Sequence, residues 1–203
     1  AERIQFGALR VLNDDIIAPG KGFGTHPHDN MEIITIPLEG SLEHKDSMEN
    51  EGVIEKDEIQ VMSAGTGVYH SEYNKSEEKP VSLLQIWILP KEQNIAPRYD
   101  QKSLKELQKI NNLYPIVTPD KNGPEMWINQ DAWLYMGDFN KPTSFEYEIN
   151  KKGNGVYTFI INGRAIISEN TLDKRDALGI WDVENFNISV DKNTKLLLIE
   201  VPV

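Results

Sequence analysis

Two pairs of side chains carry the strongest chemical signal in this sequence. His26 and His28 are separated by one residue, and so are His70 and Glu72. In an extended segment, residues i and i+2 project from the same face with Cα atoms about 6.6 Å apart. At that spacing two imidazoles can converge on one ion. Two such pairs on facing strands offer three neutral nitrogens and one carboxylate oxygen. That donor set suits divalent iron, nickel, copper, manganese, cobalt or zinc, and it leaves positions open for water, substrate or dioxygen. All four histidines, His44 included, lie within the first 70 of 203 residues, which a random scatter rarely produces.

The surrounding residues support convergence. Gly20, Gly22 and Gly24 precede the first pair, and Gly65 and Gly67 precede the second. Glycine permits tight turns and close backbone approach beside a site. Pro27, between the first two histidines, fixes its own φ and favours an extended conformation at His26.

Strands must position these residues. Short apolar or alternating runs, broken by Gly, Asn, Asp and Pro, predict strands over Ile4–Leu12, Met31–Leu38, Gly52–Ile54, Glu58–Met62, Val81–Leu89, Ala132–Gly137, Phe145–Ile149, Val156–Ile161, Arg164–Ile167, Phe186–Val190 and Lys195–Val201. Many short strands with frequent turn signals predict an all-β sandwich or barrel. Asn162-Gly163 predicts a two-residue hairpin turn, since Asn-Gly readily supplies positive φ. One helix is predicted, because Ser103 and Glu106 have the spacing of a capping box and Leu104, Leu107 and Ile110 recur at helical intervals. Pro90–Lys102 reads as a linker. The expected organisation is an N-terminal metal-binding barrel (1–95), a linker with a short helix (96–114) and a C-terminal barrel without metal (115–203). The halves read as a diverged duplication: Leu83–Pro90 resembles Leu196–Pro202, and the segment around Gly40 resembles that around Gly163.

Composition excludes several classes. The absence of cysteine removes disulfides, thiolate metal sites and cysteine nucleophiles, and fits a reducing cytosol. No run approaches the roughly 20 apolar residues of a membrane helix. The opening AERIQFGALR lacks the basic, apolar and cleavage regions of a signal peptide. A cytoplasmic location is therefore expected. The net charge of −11, with basic residues scattered among acids, argues against direct nucleic-acid binding. No P-loop, dinucleotide fingerprint or serine–histidine–acid arrangement is present.

At motif level, Gly20-x5-His26-Pro27-His28-x3-Glu32 followed by Gly40 looks like the first cupin motif, and Gly67-x2-His70-x3-Asn74 looks like the core of the second. The runs FGTHPHDNMEIITIPLEGSLEHKDS and QVMSAGTGVYHSEYN, with the closing LLLIEVPV, resemble the pirin family of bicupins over nearly the whole chain. The resemblance implies two stacked cupin (double-stranded β-helix, jelly-roll) barrels, the first holding one divalent metal, iron foremost, through three histidines and a glutamate. Matched motif to motif, the ligands are His26, His28, His70 and Glu72. Many other cupins take their carboxylate from the first motif, which here is Glu32, and strand parity alone leaves Glu32 open. His44 is expected at the pocket edge or in a structural role. Pirin-like chains usually carry further residues before the point matching Ala1, and those residues contribute β structure.

Two functions follow from the resemblance. One is a quercetin 2,3-dioxygenase-type enzyme that opens a flavonol ring with dioxygen, with Glu72 as general base; Phe23, three residues before His26, and Met62 are candidate substrate-pocket residues, with core packing as the alternative for both. The other is a non-enzymatic, iron-dependent redox sensor that binds a regulatory protein partner. The tryptophans Trp87, Trp127, Trp133 and Trp181, and Phe6, read as packing residues.

Overall fold

In a sheet with one buried face, side chains must alternate between core and solvent. The computed structural model, in which residues 4–203 are described, shows this pattern directly. In Val68–Asn74, residues Val68, His70, Glu72 and Asn74 are buried while Tyr69 and Tyr73 are exposed. In Ser41–Asp46, Leu42, His44 and Asp46 are buried and the residues between them are not. The chemistry-bearing residues therefore occupy positions that apolar residues would normally fill.

The first nine strands are β1 (Leu9–Ile17), β2 (Gly22–His28), β3 (Glu32–Glu39), β4 (Ser41–Asp46), β5 (Glu51–Glu55), β6 (Glu58–Ser63), β7 (Val68–Asn74), β8 (Val81–Ile88) and β9 (Arg98–Ser103). They form two antiparallel sheets, ordered β1-β8-β3-β6-β9 and β2-β7-β4-β5. A buried cluster of Ile17, Leu42, Ile54, Val81 and Leu83 draws on both sheets and closes one end of this barrel. The remaining strands are β10 (Leu113–Thr118), β11 (Met126–Trp127), β12 (Trp133–Phe139), β13 (Thr143–Glu148), β14 (Asn154–Asn162), β15 (Arg164–Ile167), β16 (Asn170–Asp173), β17 (Ala177–Ile180), β18 (Asn185–Val190) and β19 (Thr194–Pro202). In the second barrel β10, β12, β19, β14 and β17 are neighbours in that order, and β13-β18-β15-β16 form the other sheet. The chain divides into two compact units. One holds Leu9–Glu106 and Met126–Gln130; the other holds the segment up to Ala8, Leu107–Glu125 and Asp131–Val203.

The duplication expected from sequence is present over eight strands of each barrel, with β9, β10 and β11 outside it. The order β1-β8-β3-β6 corresponds to β12-β19-β14-β17, and β2-β7-β4-β5 corresponds to β13-β18-β15-β16. Gly40 and Gly163 occupy matching bends, at φ of 80° and 84°. Through the registers, His70, Glu72 and His44 match Phe186, Ile188 and Ile167. Those three belong to the apolar core of the second barrel, with Tyr147, Val156, Ile160 and Leu198. The same interior positions thus hold donors in one barrel and hydrocarbon in the other.

Two local expectations are corrected. Asn162-Gly163 is not a hairpin: β14 and β15 belong to different sheets, and the bend carries the chain from one to the other. Only Gly163 takes a positive φ, while Asn162 ends β14 as a strand residue. A Cβ at Gly163 would lie 2.5 Å from Thr194 Oγ1, so the bend needs glycine for space as well as for φ. The helix expected after Ser103 is also absent; the described residues contain no helix. Ser103 instead ends β9, which pairs with β6 along its whole length, so part of the expected linker is a strand. Ser103 Oγ accepts from the Lys105 amide, 3.3 Å away, and Leu104 N donates to Asp57 O. Leu104 is buried but Ile110 is 54% exposed, so no apolar stripe is available to offset the cost of helix nucleation.

One polar group interrupts the closing strand of the second barrel. Glu200, fully buried, accepts hydrogen bonds from Tyr147 Oη (2.7 Å), Asn150 N (3.0 Å) and Nδ2 (2.7 Å), Lys151 N (3.1 Å) and Asn154 Nδ2 (2.9 Å). Removing the acceptor leaves several donors unpaired. Glu200→Ala is expected to destabilise the protein by about 3 kcal/mol or more in urea unfolding of the full chain; a loss below about 1 kcal/mol would contradict this reading.

Candidate metal centre

The first barrel brings His26, His28 and His70 together through the β2–β7 register, in which His26 lies opposite His70. Their ring centroids are 4.4 Å (His26–His70), 4.9 Å (His26–His28) and 4.9 Å (His28–His70) apart. One nitrogen from each lies within 4.8 Å of the others. A register shift between Phe23 and His26 marks an irregularity in β2, of the kind that re-aims side chains beside sites. Gly22 makes this approach possible: a Cβ there would fall 2.1 Å from the carbonyl oxygen of Glu72. Of the glycines that frame the first histidine pair, Gly22 thus has a steric reason at the site itself.

β4 adds a second, overlapping group. His44 lies opposite Glu72 and Asp46 opposite His70. One ligand atom each from His44, His70 and Glu72 also fall within 4.8 Å of one another. All three residues are only 1% exposed. The structure therefore gathers all four histidines and Glu72, but as two triads that share His70. Sequence reasoning placed His44 at the edge. The signal for its inward position was the alternation Leu42, His44, Asp46, in phase with an apolar residue.

The opposing sheet supplies the wall. Trp87, Ile33, Met62 and Tyr99 are register partners across β8, β3, β6 and β9, and Gln85, Thr35, Gln60 and Gln101 form the next such row. The Trp87 ring lies 4.9 Å from His28 and the Tyr99 ring 4.9 Å from His44. Gln85 Nε2 donates to Glu72 Oε2 (2.8 Å), and Trp87 Nε1 donates to Gln85 Oε1 (3.1 Å). Gln85 was legible only as an amide inside the apolar run Leu83–Ile88. Met62 is fully buried against Ile33 and Val68. Phe23 pairs with Glu72 across β2–β7 and is 45% exposed.

Glu32, the alternative carboxylate, stands elsewhere. Asn30, at φ 44°, turns the chain between β2 and β3, which join different sheets, so parity does not run through from His28. Glu32 neighbours Ile33 on β3 and so faces away from the row containing Trp87 and Met62. Its carboxylate accepts from Ser63 Oγ at 2.7 Å.

The donor chemistry fits a cation. His26 Nδ1 lies 2.8 Å from the Gly24 carbonyl, which can only accept, so Nδ1 carries the proton and Nε2 the lone pair. Both ring nitrogens of His70 and Glu72 Oε1 are buried without hydrogen-bond partners. Such orphaned atoms cost free energy unless a ligand satisfies them. Burial, reinforced by His26, lowers the His28 pKa to about 4. Burial, reinforced by His26, His28 and His44, lowers that of His70 to about 3. Both rings are therefore neutral and ready to ligate at neutral pH. Burial pushes the Glu72 carboxyl upward, against the Gln85 hydrogen bond.

These shifts give a pH dependence for the metal-free protein. Unfolded histidine takes up a proton near 6.5, whereas folded His28 and His70 resist it until about 4 and about 3. Their contribution to stability is present above about 6.5 and is lost as pH falls through those lower values. Glu72, raised in the folded state, acts oppositely: its share is present at low pH and is lost as pH rises. In chelator, the thermal midpoint is expected to fall between about pH 7.5 and about pH 5, and less steeply in His70→Asn. Parallel profiles for the two proteins would contradict the assignment.

Comparison with known proteins agrees with the fold and the motifs. The Pirin family profile matches residues 1–88, and the quercetinase C-terminal cupin domain profile matches residues 115–201. A protein of Escherichia coli strain K12 named quercetin 2,3-dioxygenase is 40% identical over 197 residues, covering 97% of this chain and 84% of the relative. A pirin-like protein of Caulobacter vibrioides is 32% identical over 200 residues, covering 97% and 84%. The crystal structure of the E. coli bacterial pirin YhhW in complex with nickel(II) superposes with a TM-score of 0.92 at 38% identity, covering 99% of this chain and 85% of that one. With two cupin barrels, motif matches in both halves and relatives along nearly its whole length, the chain belongs to the pirin family.

Proposed function

We propose that this protein is a metal-dependent dioxygenase of the quercetin 2,3-dioxygenase type, acting on a flavonol-like substrate with dioxygen. The observation that carries the reading is the convergence of His26, His28 and His70 beside a buried Glu72 with one unpartnered oxygen. His26, His28 and His70, with Glu72, are the residues that would hold a divalent ion, with iron or nickel as the leading candidates. Nickel is the metal bound in the related E. coli bacterial pirin. Such an ion, when bound, supplies Lewis acidity that lowers the pKa of a coordinated hydroxyl and open positions at which substrate and dioxygen meet.

The chain's own residues supply the rest. The Gly24 carbonyl fixes the His26 tautomer and ring orientation. Gln85 holds Glu72 Oε2, which leaves Oε1 free to accept the proton of the substrate's 3-hydroxyl. Trp87, beside His28, offers an apolar aromatic wall for a flat ring system, with Met62 and Ile33 as its buried support. Phe23, half-exposed and in register with Glu72, would line the substrate's approach in this reading.

The test is oxygen uptake with quercetin by protein loaded with Fe(II) or Ni(II). Loaded native protein is expected to consume oxygen and deplete quercetin together. His70→Ala is expected to lose at least about 100-fold in kcat/KM, and Glu72→Gln about 100-fold in kcat. Native protein that binds metal but performs no better than His70→Ala would overturn the proposal.

A further inference from the structure

A carboxylate taken out of water without a cation is costly, and the position of Glu72 raises the question of where its cation sits. Among the described residues the donors that face it are neutral, the Gln85 amide at 2.8 Å and the Thr35 hydroxyl further off. Its ligand oxygen groups with nitrogens of His44 and His70, while the other triad is His26, His28 and His70 without it. His44 is built like a metal ligand. Its Nε2 lies 3.2 Å from Asp46 Oδ2, and Asp46 is itself fixed by the amides of Met48 and Asn50 and by the Asn50 side chain. An imidazole N–H donated to a carboxylate sets the tautomer and leaves the lone pair on the other nitrogen, the usual support of a ligating histidine. That other nitrogen, Nδ1, is buried with no partner, as is Glu72 Oε1.

We propose that the barrel contains a second, inner cation position formed by His44 Nδ1, His70 and Glu72 Oε1, for a divalent transition metal that also visits the outer position, where His26, His28 and His70 gather and Glu72 would join them. The proposal rests on the metal-centre reading above and extends it to a residue that reading leaves without a role. A neutral imidazole has one lone pair, so the shared His70 makes the two positions alternatives and the stoichiometry stays at one ion per chain. The inner position has three protein donors and a polar floor. Gln60 and Thr35 share the Gln85 row; the Gln60 amide is buried with no partner, available to water completing the ion's shell, and the Thr35 hydroxyl faces Glu72. The inner triad is almost fully buried, whereas His26 and His28 are only partly buried. An ion held inside is therefore shielded from a bulky substrate, and one held outside is open to it.

Cobalt(II) titration of the full chain, read by its visible absorption and by elemental analysis after desalting, tests this. Native protein is expected to bind one equivalent. His26→Ala/His28→Ala is expected to keep one equivalent at an affinity lower by about tenfold or more, with a changed absorption band. Adding His44→Ala is expected to abolish that residual binding. A double variant that binds no cobalt, or whose binding survives His44→Ala, overturns the inner position while leaving the proposed function intact. Native protein that binds no cobalt overturns both. Anomalous diffraction at the cobalt edge on crystals of the double variant gives a reading independent of the triple variant's folding: a peak among His44, His70 and Glu72 supports the position, and its absence overturns it.

Discussion

The structure of the first barrel turns on one constraint: polar atoms with no protein partners are held in a buried interior. His70 presents two such nitrogens, Glu72 one oxygen and His44 one nitrogen, all within the same few ångströms. Burying them without satisfaction works against folding. The surrounding scaffold explains how they are held. Strand pairing fixes β2, β7 and β4 in a register that leaves the side chains little choice of direction. Gly22 lets β2 approach the Glu72 backbone, and Gln85, Asp46 and the Gly24 carbonyl each restrain one member. An arrangement this costly is what a preorganised cation site looks like before the cation's own contribution is counted.

The second barrel serves as an internal control for that argument. It repeats the topology of the first over eight strands, yet where His70, Glu72 and His44 stand in one, Phe186, Ile188 and Ile167 stand in the other. Its buried carboxylate, Glu200, shows the opposite treatment from Glu72: it accepts from three side-chain donors and two backbone amides. The fold thus tolerates a buried carboxylate either by saturating it with donors or by leaving one oxygen open toward a cluster of imidazoles. The first solution is structural and the second is chemical.

Much of this was legible in the sequence because β-structure has a period of two. His-x-His and His-x-Glu put both members of each pair on one face, and the two barrels could be read from repeated strand-closing segments. What escaped had physical reasons. The Ser103 capping box satisfied a local rule, but pairing of β9 with β6 and the lack of a buried stripe past Leu104 decided against a helix. Asn162-Gly163 had the composition of a hairpin turn, but the strands it joins pair with other partners. Glu32 could not be separated from Glu72 by parity because the left-handed turn at Asn30 breaks the alternation. Gln85 acts on Glu72 from another strand, and only the tertiary register reveals it; Asp46 stands two residues from His44 on the same strand, and its role shows only once His44 is seen to face inward.

The central claim is that the unpartnered atoms of the first barrel exist to hold a divalent metal. Elemental analysis of the protein purified without added metal or chelator, alongside His70→Ala prepared identically, tests it most directly. The account predicts close to one transition-metal ion per native chain and a near-complete loss in His70→Ala, the one residue common to both triads. A native protein free of metal that also takes none up from excess Fe(II), Ni(II) or Co(II) would contradict it.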